Sequence, residues 1–129
     1  MKLTADDAFD LSKQFRDAAV SLGNYRFDNW DDLTNAQRQG LEDDEWSLLN
    51  ASSDMITKAV GLALDESELS LSELQASTTK AKKAIKTLKT VGQVIGVATA
   101  LVGLAAAIIS KDPKAVANNV KLVYGASKA

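Results

Sequence analysis

The chain has 129 residues, 46% hydrophobic, 25% charged and 5% aromatic, values that fit one soluble domain with a modest core. One proline and few aromatics argue against an all-β sandwich, while the lack of cysteine and histidine removes disulfides, thiol nucleophiles and the commonest general base and metal ligand. The net charge of −2 hides an asymmetry: residues 1–79 hold sixteen of the seventeen acids against six bases (−10), and residues 80–129 hold nine lysines against Asp112 (+8).

Such a split concerns association: either the halves neutralise each other on folding, or the second half offers a basic surface to an anionic partner. Residues 1–7 turn acidic before any apolar run, so the expected location is the cytoplasm, or export without a cleaved signal.

Thr4 with Asp7 resembles a capping box, and Ala8, Leu11, Phe15, Ala18 and Leu22 form a helical stripe. This predicts a first helix over about 5–22, stopped at Gly23-Asn24. Residues 23–33 read as a loop whose Tyr25, Phe27 and Trp30, together with Trp46 beyond it, either pack the loop onto the bundle or serve as interface anchors. Thr34 and Gln37 form a second capping box, opening a helix predicted over about 34–64. Ser70 and Glu73 form a third.

From there the apolar spacing is the strongest in the chain: Leu71, Leu74, Thr78, Ala81, Ile85, Leu88, Gly92, Ile95, Thr99, Val102, Ala106 and Ile109. Steps of three and four without a slip predict one long helix over about 71–110, packed in coiled-coil fashion. Asp112-Pro113 is an N-cap with proline at the first helical position, and the last helix is predicted over about 113–124. The fold class is therefore all-α: a helical bundle built on a long antiparallel hairpin (34–64 with 71–110), flanked by two shorter helices, as a single domain over 1–129.

Residues 91–109 hold no charge, and their polar side chains are Gln93 and Thr99. That length and composition suit a membrane span, and lysines flank both ends. Gly92 and Gly96 form a G-x-x-x-G pair, followed by Gly103 and Ala107; small residues at that spacing let helices approach closely. In the predicted hairpin this segment faces residues 26–44, too polar to cover it. It therefore requires cover from other helices, a second copy, a partner or lipid, because each Val, Leu or Ile left in water forgoes about 1.5–3 kcal/mol.

Lys82, Lys83, Lys86 and Lys89 share one helix face. They read as a solvated face partly paired with the acids at 42–45, or as an anchor on anionic lipid. Without arginine or interleaved aromatics this patch is a poor nucleic-acid site.

No phosphate loop, H-E-x-x-H or G-x-S-x-G occurs, and the acidic clusters lack the EF-hand glycine. The expectation is thus a non-enzymatic protein with no cofactor, metal or small-molecule substrate. It would act by self-association or by binding a protein partner through Gly92, Gly96, Thr99, Gly103 and Ala107. At the level of architecture, residues 70–124 resemble the helical-bundle pore-forming toxins, which implies an alternative in which the 91–109 helix inserts into a membrane.

Overall fold

The computed structural model describes residues 5–57, 71–88, 90–110 and 112–128. The described residues form five α-helices: α1 (Ala5–Asp28), α2 (Asn35–Thr57), α3 (Leu71–Thr87), α4 (Val91–Ile109) and α5 (Pro113–Ser127), with a short 3₁₀ turn at Trp30–Asp32. The all-α bundle expected from periodicity is present. The predicted end of the second helix near 64, the Thr4 and Ser70 caps and Lys89 lie outside the described residues.

Three boundaries differ from the sequence reading. The first helix does not stop at Gly23 but runs to Asp28. A Cβ at Gly23 would lie 2.7 Å from Glu45 Oε1, so this glycine leaves room for the Glu45 carboxylate and does not end the helix. Asn29 instead donates from Nδ2 to the Tyr25 carbonyl at 3.0 Å.

The predicted 71–110 helix is two helices. Thr90 leaves helical geometry (φ −114°, ψ 149°) and forms a capping box with Gln93. Its Oγ1 accepts from the Gln93 N–H, and the Gln93 side chain accepts from the Thr90 N–H, each at 3.2 Å. The box satisfies two of the donors orphaned at a helix start. Finally, α5 passes through Gly125 to Ser127.

Two predicted caps are in place. Thr34 and Gln37 bond reciprocally at 3.1 and 2.9 Å. Asp112 Oδ1 accepts from the Lys114 and Ala115 N–H groups at 3.1 and 3.2 Å.

Packing follows a four-helix square. α1 adjoins α2 and α3, α4 adjoins α2 and α3, and α5 lies outside against α3 and α4. α1 and α2 are antiparallel, as Arg26–Glu45 (2.7 Å) and the Arg38–Trp30 carbonyl bond (3.0 Å) fix. α1 and α3 run parallel: Thr78 donates to Gln14, Lys82 lies 3.9 Å from Asp17, and Ser21 and Asn24 share a groove with Ile85 and Lys86. α2 and α4 also run parallel, Gly40 and Leu41 lying by Ile95, and Ala51 and Asp54 by Ala105 and Ile109. The predicted antiparallel pairing of 34–64 with 71–110 is thus replaced by hairpins α1–α2, α3–α4 and α4–α5.

The core is continuous and, apart from Phe15, almost wholly aliphatic, running from Leu11, Phe15 and Leu22 through Leu41 and Leu48 to Leu74, Ile85, Leu101, Leu104 and Ile108. Val116, Val120 and Val123 seal α5 onto it. Among the described residues, no buried side-chain N or O lacks a hydrogen-bond partner.

Candidate functional site

The separation of α3 from α4 has a consequence for α4. The predicted stripe does line the core in α3, where Leu74, Thr78, Ala81 and Ile85 are buried. In α4 the same stripe lies on the outer side: Gly92, Thr99 and Ala106 are exposed, and Ile95, Val102 and Ile109 are half-buried. The core instead receives Val94, Val97, Ala98, Leu101, Leu104, Ala105, Ala107 and Ile108. Because α4 is apolar on every side, either side suits the core, and the geometry of the turn selects which one is buried.

Neighbouring helices of the same chain therefore provide part of the cover that this segment requires. Over its most apolar window, mean hydropathy 2.1, 44% is buried inside the chain. Five predicted interface residues divide accordingly. Gly92, Gly96 and Thr99 are exposed, and a Cβ at either Gly92 or Gly96 would meet nothing within 4 Å. Gly103 is half-buried, a Cβ there lying 2.6 Å from Asn119 Oδ1, so it serves the α4–α5 contact. Ala107 is in the core.

Beside the open face of α4, α2 also presents small residues. Two grooves run between them. One of about 360 Å³ is lined by Ala36, Gly40, Leu41, Asp44, Ile95 and Thr99. The other, about 440 Å³, is lined by Ser47, Ala51, Asp54, Val102, Ala106 and Ile109, among others. Asp44 is half-buried there, and burial, followed by repulsion from Asp43, raises its carboxyl above the usual aspartate range.

The lysines sit on the opposite side of the square. Lys82, Lys83 and Lys86 line a groove between α1 and α3 with Asp17, Ser21 and Thr79. Their acidic neighbour is Asp17 and not the 42–45 cluster, whose Glu45 is engaged by Arg26.

The aromatics occupy different places from those expected. Phe27, Trp30 and Trp46 are exposed by 67%, 41% and 59%, so they do not pin a loop to the bundle. Phe27 and Trp30 stack at 6.2 Å between centroids. The Arg26 guanidinium lies 4.9 Å from the Phe27 ring, and that of Arg38 lies 4.5 Å from Trp30. The hydrogen bond to Glu45 raises the Arg26 pKa further above its already high value. Tyr25 is half-buried, and burial raises its pKa.

Among the described residues, no group of three or more acids is placed to hold a metal ion. No protein-family model, curated protein or solved structure matches the chain.

Proposed function

We propose that this is a non-enzymatic helical-bundle protein that works by associating with further copies of itself through the open face of α4. The observation carrying this reading is the outer side of the most apolar helix, where Gly92, Gly96, Thr99 and Ala106 are exposed beside half-buried Ile95 and Val102. A small-residue surface beside aliphatic grooves lets another element approach at backbone distance, which maximises dispersion contact and removes the remaining apolar area from water.

Light scattering on a sizing column tests it. The wild-type chain should elute as an oligomer, and Gly96→Leu as a folded monomer. Leucine there meets open space and improves helix propensity by about 0.8 kcal/mol, so loss of the oligomer would report the surface and not the fold. A wild-type chain that stays monomeric at high concentration refutes the reading.

A second reading is that α4 leaves the bundle and inserts into an anionic membrane. It is favoured by one further observation: α4 is a separately capped, uncharged helix of 19 residues, bounded by Thr90 and Ser110. Lys83 and Lys86, exposed on α3, would meet the lipid headgroups at about 1 kcal/mol each. Release of dye from phosphatidylserine-containing vesicles, absent from neutral ones, would support insertion; a chain that leaves both intact excludes it.

A further inference from the structure

The open groove requires a particular kind of occupant, and the opposite flank of α2 shows one. Along α1, Phe9, Lys13, Arg16, Val20 and Phe27 fall within about 60° of one another on a helix of 3.6 residues per turn. All five are exposed, and the three apolar ones strongly so: 53% for Phe9, 56% for Val20 and 67% for Phe27. This ridge points away from the core occupied by Leu11, Phe15, Ala18 and Leu22. It complements the groove in two respects: bulky where the groove includes Ala36, Gly40 and Thr99, and cationic where α2 carries Asp43 and Asp44. The lengths agree as well, since residues 9–27 and residues 36–54 each span about 27 Å.

Resting on the self-association reading, we propose that the occupant of the α2–α4 groove is the α1 ridge of a second copy, with Phe9, Val20 and Phe27 seated between the helices and Lys13 and Arg16 against the acidic rim. Ridge and groove are different surfaces of one molecule, so the contact is heterologous, and each copy that receives a ridge also presents one. The half-buried carboxylate of Asp44, disfavoured by burial and by Asp43, gains a compensating cation on assembly.

Two variants test this, both at exposed sites where folding should be retained: Val20→Glu on the ridge and Gly96→Leu beside the groove, with helix content checked for each by circular dichroism. Each alone should be a monomer, with self-affinity reduced at least tenfold. Mixed in equal amounts they should form a one-to-one dimer and nothing larger, because one intact groove and one intact ridge remain. A Val20→Glu chain that assembles like wild type overturns the inference while leaving the α4 reading standing. Two monomers that stay monomeric when mixed overturn it too, as expected if Val20 and Gly96 belong to one contact that both copies must keep intact. A monomeric wild type removes both. As a charge control, Lys13→Glu with Arg16→Glu should weaken assembly, and adding Asp43→Lys with Asp44→Lys should restore it; failure of the restoration counts against the docking pose.

Discussion

Helices α3 and α4 share one run of apolar spacing and yet are put together differently. In α3 the residues away from the core include Lys82, Lys83 and Lys86, so only one orientation keeps charge in water. In α4 no residue is charged, and the side that is buried is opposite to the one that continues the stripe of α3. A one-sided helix fixes its own orientation. A helix that is apolar all round leaves it to its neighbours, and whatever side they leave open is apolar by default.

The largest effect is expected from truncating the inner side of α4. Leu101 is fully buried, and Leu101→Ala should cost about 2–5 kcal/mol, as Ile85→Ala should in α3. Urea unfolding measures both, and a loss below 1 kcal/mol for Leu101 alone would mean that α4 is not the core helix described. A smaller effect concerns the division itself. Thr90→Ala removes one half of the capping box and should cost about 1 kcal/mol, seen as a lower urea midpoint with an unchanged slope; no change would imply that the cap does not hold the turn.

The smallest effect lies on the open face. Asp44 has its folded pKa raised, so folding favours its protonated form. That contribution is complete below the ordinary aspartate value of about 3.9 and is lost as pH rises through the higher folded value. In the Gly96→Leu monomer, Asp44→Asn should therefore raise the melting temperature slightly at pH 7 and lose this advantage below about pH 4. An equal gain at both pH values would point to packing and not to charge.

Local chemistry was the legible part of this chain. The Thr34 and Asp112 caps, the inner faces of α1 and α3, and the C-terminal limit of α4 follow from side chains within a few residues of one another. The Thr90-x-x-Gln93 box was visible in the same way, but the spacing of Ile85, Leu88, Gly92 and Ile95 runs across it without a slip, and periodicity alone reads through a turn that happens to keep phase. The parallel pairings of α1 with α3 and α2 with α4 depend on contacts about 55–65 residues apart, for which neither spacing nor composition carries a mark. Gly23 shows the same limit at a single residue: a stop by composition, it is a gap for Glu45 in space.

The tight link between α1 and α2, closed by the 3₁₀ turn and the Thr34 box, bears on how the chain is made. This pair is synthesised before any of the nine lysines that begin at Lys80, and its contacts are local enough to form early. By residue 57 the nascent chain carries twelve acids against five bases, a net −7 that reaches −10 by residue 79, and this self-repelling precursor discourages clumping on the way out of the ribosome. Only when the basic half arrives is the field neutralised and the apolar α4 given somewhere to lodge.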